Sequence, residues 1–154
     1  DLLKGIGKFS NMHVVNVEGA TGYIDTNFEG KANAGIKEFQ NGQDFVYIHI
    51  EAPDECGHRN EMMNKVKAIE TIDAKILTPV VEYLQSTGEG FKVLVTPDHP
   101  TPLALRTHTN DPIPFFVYDS TKSIDGVDGF CEKTAKATGN YIPKGYMLMQ
   151  EFSK

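Results

Sequence analysis

The chain has 154 residues, 40% of them hydrophobic and 23% charged, with 14 Gly and 8 Pro, the size and balance of one globular domain with a buried core. A formal charge of −6, with 15 Lys and Arg spread along the chain and no basic block, argues against a nucleic-acid partner. No apolar run approaches the roughly 18 to 20 residues of a membrane-spanning helix, the start Asp1-Leu2-Leu3-Lys4 lacks the layout of a signal peptide, and two cysteines, Cys56 and Cys131, are too few for a disulfide framework. A soluble protein of the reducing cytoplasm, with no membrane partner, is expected. The opening Asp1-Leu2-Leu3-Lys4-Gly5-Ile6-Gly7 reads as the middle of something longer, so a C-terminal piece of a larger protein is expected as well.

Residues 2 to 11 suit a short helix ending near Asn11, and the branched residues of His13-Val14-Val15-Asn16-Val17 suit a strand. After the loop Glu18-Gly19-Ala20-Thr21-Gly22, Asp25 or Thr26 can cap a helix over 27 to 41, with Phe28, Ala32, Gly35, Ile36 and Phe39 on one face and Asn41-Gly42 as its stop. Phe45-Val46-Tyr47-Ile48-His49-Ile50 is nearly continuous in apolar residues, which predicts a central strand of a parallel sheet covered on both faces. From Asn60 to Gln85 the apolar positions recur at helical spacing, and Pro79 should kink or divide that helix. A strand over 91 to 95, a Pro-rich loop from Pro97 to Pro112, a strand at 115 to 118, a helix near 129 to 137 and a final strand around Tyr146 to Met149 complete the reading. Strands alternate with helices, so the expected class is α/β, a single domain over 1 to 154 with a mostly parallel sheet and helices on both faces.

Two loops carry the chemistry. Ala52-Pro53-Asp54-Glu55-Cys56-Gly57-His58 follows one apolar run and Thr96-Pro97-Asp98-His99-Pro100-Thr101-Pro102 follows another. In an open parallel sheet ligands bind beyond the carboxyl ends of the strands, where Asp54 and Asp98 should both emerge. Asp54 and His58 are spaced to grip one ion from one helical turn or loop. Asp98 and His99 are adjacent and must diverge unless the loop bends, which is easier to rationalise if they serve two metals, and His108 supplies a fifth ligand from the Pro-rich loop. Two carboxylates and three imidazoles suit Mn²⁺, Zn²⁺ or Fe²⁺ better than Ca²⁺. Any one of these residues alone is more often a cap or a solvated loop residue; the set is the signal.

At these residues the sequence resembles a known family. Asp1 to Gly7, Val17-Glu18-Gly19-Ala20-Thr21-Gly22-Tyr23-Ile24-Asp25-Thr26-Asn27, His49 to His58, Pro97 to Pro102 and Arg106-Thr107-His108-Thr109 look like the C-terminal part of cofactor-independent (2,3-bisphosphoglycerate-independent) phosphoglycerate mutases of the archaeal type. The resemblance implies an alkaline phosphatase-like fold and two divalent ions, Mn²⁺ foremost with Zn²⁺, Mg²⁺ or Fe²⁺ as alternatives. It further implies a nucleophilic Ser or Thr that is transiently phosphorylated and a glycolytic phosphoglycerate as substrate. Carried over by motif, Asp54, His58 and His108 would hold one ion, and Asp98 and His99 would belong to the second. The family's nucleophile and its remaining ligand lie upstream of what is present here, and none of Ser10, Ser86, Ser120, Ser123 or Ser153 has a matching context, so the isolated chain is expected to be inactive. A homoserine kinase-like relative of the same superfamily and a non-catalytic metal-binding domain are the alternative readings.

Other residues carry weaker expectations. Lys4 and Arg106 are candidates to bind substrate phosphate or carboxylate, with a surface lysine and a loop brace as the plainer readings. Cys56 reads as a small filler, His49 as a packed histidine and His13 as a surface one. Glu51 and Glu55 flank the first ion and could orient its ligands.

Overall fold

In the computed structural model, which describes residues 2–153, helix α1 (Leu2–Phe9) ends in a Schellman closure. Asn11 adopts a left-handed φ of 59°, Met12 N–H reaches Gly7 C=O at 2.8 Å and Asn11 N–H reaches Lys8 C=O at 3.1 Å. The same closure ends α2 (Phe28–Gln40), with Gly42 at φ 87° and Gln43 N–H on Glu38 C=O. The N-cap of α2 is Asn27, not Asp25 or Thr26: its Oδ1 accepts from Gly30 N–H at 2.8 Å. Those two residues brace the preceding loop instead, where the buried Thr26 hydroxyl accepts from Thr21 N–H and Asp25 accepts from the Thr21 hydroxyl.

The predicted long helix is present in three pieces, α4 (Met62–Ile72), a π-helical stretch over Asp73–Leu77, and α5 (Thr78–Thr87); the short helix α3 (Ala52–His58) precedes it. Pro79 has no N–H to give and would crowd the carbonyl four residues before it, so the widened turn sits directly upstream of it. In place of the usual spacing, Thr78 N–H reaches back to Asp73 C=O.

The chain divides into two compact units. The first comprises Asp1–Cys56 and Met62–Tyr83. Its buried apolar residues are Phe28, Ala32, Ala52, Cys56, Ala68, Ile76 and Val80, mostly small side chains that let helix backbones approach closely. Lys75 and Glu29 tie the π-helical stretch to α2 at 2.6 Å. Segment 45–50 lies against α2 through Val46 and Ile48: a Cβ on Gly35 would meet Ile48 Cδ1 at 2.9 Å and Val46 Cγ1 at 3.4 Å. Tyr47 on the alternate positions is 59% exposed, so the segment is covered on one face and not on both.

The second unit comprises Gly57–Glu61 and Leu84–Lys154. Strand β1 (Lys92–Val95) pairs with β2 (Phe116–Asp119) in antiparallel register, Lys92 opposite Asp119 and Val95 opposite Phe116. Phe91 packs on Tyr118, and Phe116 meets Phe130 edge-on. At the end of β2, Asp119 Oδ1 accepts from both the N–H and the hydroxyl of Thr121, and Oδ2 from Lys122 at 3.0 Å. The Thr121 hydroxyl foremost, with Lys122, holds this carboxyl down at about 2. Helices α6 (Glu132–Ala137) and α7 (Leu148–Phe152) follow, with a 3-10 turn over Gly145–Met147 before α7.

Three expectations are corrected. The sheet among the described residues is one antiparallel pair, not a mostly parallel array, and the structure is mainly helical. Segments 13–17 and 45–50 have strand-like composition but no ladder among the described residues, and a strand exists only where its N–H and C=O groups find a partner. The final strand at 146–149 is helical, because Met147, Leu148, Met149, Gln150 and Glu151 are good helix formers. No helix among the described residues is long and apolar enough to cross a membrane.

Candidate metal centre

Helix α3 begins where Glu51 C=O accepts the N–H groups of Asp54 (2.9 Å) and Glu55 (3.1 Å). Pro53 is tolerated because first-turn N–H groups have no partner within the helix, and the carboxylates of Asp54 and Glu55 favour that positive end. Ala52 and Cys56, one turn apart, are fully buried, which sets the helix on a small-residue seam. Asp54 and His58 are also one turn apart and only half-buried, so the helix offers a carboxylate and an imidazole along one line. Cys56 lies on the buried seam between them and forms no disulfide.

His58 is held by its ring. Its Nδ1 lies 2.9 Å from Arg106 C=O, an acceptor only, so Nδ1 carries the proton and Nε2 keeps its lone pair. That Nε2 lies 3.0 Å from Nε2 of His108, and the two rings are tilted at 49° with centroids 4.9 Å apart. One ligand atom from each of Asp54, His58 and His108 lies within 4.8 Å of the others. The His99 ring lies against that of His108, tilted at 30° with centroids 3.6 Å apart, and its Nε2 stands 3.2 Å from Oδ2 of Asp98. The loop does bend at Asp98-His99: Asp98 Oδ1 accepts from His99 N–H, and the neighbouring side chains turn toward each other. Thr101, 4% exposed between two prolines, sets its hydroxyl 3.3 Å from His99 Nδ1.

The donor set fits a divalent cation. Two imidazole nitrogens and a carboxylate oxygen are a mixed N/O set of the kind that borderline metals prefer, and a backbone carbonyl on the second nitrogen is the usual means of orienting a metal-binding histidine. Arg106 enters through its main chain, in a left-handed conformation of φ 54° that aims its carbonyl at His58 while its side chain stays exposed. Lys4 is exposed on α1 and donates to Asn16 Oδ1 at 2.9 Å. His13 is an exposed partner of Glu38, and His49 is half-buried with its ring parallel to Tyr47. Sequence reasoning missed Thr101 and the Arg106 carbonyl. The Pro-Thr-Pro setting was the one available signal for Thr101, whereas nothing in a side chain announces a carbonyl.

The Metalloenzyme superfamily model matches residues 1–140. The 2,3-bisphosphoglycerate-independent phosphoglycerate mutase of Methanosarcina mazei is 48% identical over 137 residues, 88% of this chain and 34% of its own length. The probable enzyme of the same name from Geobacter sulfurreducens is 44% identical over 151 residues, 97% of this chain and 37% of its own length. The solved structure of the PH0037 protein from Pyrococcus horikoshii matches with a TM-score of 0.78 at 29% identity, covering 88% of this chain and 40% of that one. The chain thus spans little more than a third of the length of the relatives it matches. The chain is an alkaline phosphatase-like metalloenzyme fragment and belongs to the Metalloenzyme superfamily.

Proposed function

We propose that this chain supplies the metal-holding part of a 2,3-bisphosphoglycerate-independent phosphoglycerate mutase, which interconverts 3-phosphoglycerate and 2-phosphoglycerate through a phosphoserine in the cytoplasm. The observation that carries the reading is the cluster of Asp54, His58 and His108 with the His58 ring oriented by a carbonyl. In this reading residues 1 to 154 form part of one catalytic α/β domain. Asp54, His58 and His108 hold one divalent ion, Asp98 and His99 belong to a second, and Mn²⁺ is the favoured metal. Held by these residues, divalent ions would supply Lewis-acid polarisation of phosphoryl oxygens.

The chain's own residues position and orient. The Arg106 carbonyl orients the His58 ring, and the His99 and His108 rings lie in contact. Lys4 and Arg106 offer cationic side chains to a phosphorylated substrate. Ser120 and Ser153 engage main-chain groups, accepting from Phe91 N–H and donating to Gln150 C=O, and neither is paired with a base. With the nucleophile that the family resemblance places outside these residues, the chain alone is expected to turn over no phosphoglycerate.

The test is a chimera in which this chain replaces the matching 34% of the Methanosarcina mazei enzyme. Loaded with Mn²⁺, it should convert 3-phosphoglycerate, and Asp54→Ala should abolish that conversion. A chimera that folds and binds metal but phosphorylates homoserine from ATP instead would replace the mutase reading by the kinase-like one. No metal uptake by either the chimera or the chain would overturn the metal centre itself.

A further inference from the structure

Lys31 stands out among the charged residues of the first unit because its ammonium is turned inward. It projects from α2, is half-buried, and donates to His49 C=O at 2.9 Å. Burial pulls its pKa below the ordinary lysine range, the Glu51 carboxylate opposes that, and Lys4 adds a smaller repulsion. Burying an ammonium is costly unless it is paired, so a side chain held this way constrains whatever it touches. What it touches is His49, the first of the three residues before α3. His49 C=O and the Glu51 carboxylate flank Ile50, and the Glu51 carbonyl is the first acceptor of α3, taking the N–H groups of Asp54 and Glu55. The Glu51 side chain is confined from the other side by Gly22, where a Cβ would stand 2.6 Å from Glu51 Oε2.

Resting on the metal-centre reading above, we infer that Lys31 is a positioning residue for the metal centre, clamping the 49–51 joint so that α3 presents Asp54 as a ligand. Lys31 touches no ligand. It acts through the main chain at the helix start, where a small rotation of the first turn would swing the Asp54 carboxylate away from the His58 imidazole one turn further on.

The experiment measures Zn²⁺ and Co²⁺ binding to the purified chain by calorimetry and by the visible spectrum of the Co²⁺ form. Outer partners of metal ligands typically contribute about 10- to 100-fold in affinity, so Lys31→Met should weaken binding about tenfold and change the Co²⁺ band intensities in the same direction as Asp54→Ala. In the Asp54→Ala background Lys31→Met should cost less than about twofold, because the ligand it positions is already gone. Lys31→Arg should restore most of the affinity. Equal losses in both backgrounds, or Lys31→Met binding like the unmodified chain, would overturn the inference while leaving the metal centre intact. Failure of the unmodified chain to bind either ion would overturn both. If Lys31→Met does not fold, Lys31→Gln, which keeps a donor for the carbonyl and loses the charge, is measured in the same two backgrounds against the same criteria.

Discussion

His58 and His108 bring their Nε2 atoms to 3.0 Å while His58 gives Nδ1 to the carbonyl of Arg106. Two imidazole nitrogens this close either share one proton or turn their lone pairs to a common cation, and in the neutral His58 ring the carbonyl selects the tautomer that leaves the facing nitrogen its lone pair.

Removing either ring should therefore act mainly on metal affinity. His108→Ala and Asp54→Ala are expected to lower Zn²⁺ affinity by at least about tenfold each, and the loss from the pair together should fall short of the product of the two. Calorimetric titration of the single and double variants checks this, and independent, fully multiplicative losses would contradict a shared ion.

Arg106 separates a main-chain role from a side-chain one. Its φ of 54° costs an ordinary residue about 1 kcal/mol that glycine avoids, while glycine loses a similar amount through the greater freedom of the unfolded chain. Arg106→Gly should leave stability within about 1 kcal/mol and Zn²⁺ affinity within about twofold, because the carbonyl is retained. In the chimera the same change should raise KM for 3-phosphoglycerate if the guanidinium meets the substrate. Urea melts, titration and steady-state kinetics read these three effects separately.

Cys56 is fully buried on the α3 seam. Cys56→Ala should destabilise the chain by about 1 to 2 kcal/mol through the space it opens, and should leave Zn²⁺ affinity within about twofold. A large drop in affinity at unchanged stability would make the thiol a ligand.

Acid should act through Asp119. Its carboxyl lies at about 2, down from an ordinary 3.8, so the folded state holds the charged form more strongly than the unfolded chain does. The stabilisation is present above about pH 4 and disappears as pH falls from there toward 2. Urea melts at pH 5 and pH 2.5 should show a smaller acid-induced loss for Asp119→Asn than for the unmodified chain.

Much of the site was legible because ligand chemistry resides in side chains. Asp54, His58, Asp98, His99 and His108 were candidates from residue type, spacing and placement after apolar runs; the grouping of Asp54, His58 and His108 on one ion came from the family resemblance, and these three are a group that could hold one. The helix stops at Asn11 and Asn41-Gly42 were legible for the same reason, since left-handed caps need those residues.

Strand pairing was not legible in the same way. His13 to Val17 and Phe45 to Ile50 have the composition of strands, but composition states only a preference for extended backbone, and a ladder needs a partner with open N–H and C=O groups. The sequence by itself determined where α1 and α2 stop and which side chains are candidates to meet a metal. The tertiary structure decided that β1 and β2 run antiparallel, that 146–149 coils into helix, and that the Arg106 carbonyl meets the His58 ring and the Lys31 ammonium the His49 carbonyl. Those contacts join residues far apart in the chain, and at least one partner of the orienting pairs is a main-chain group that every residue carries.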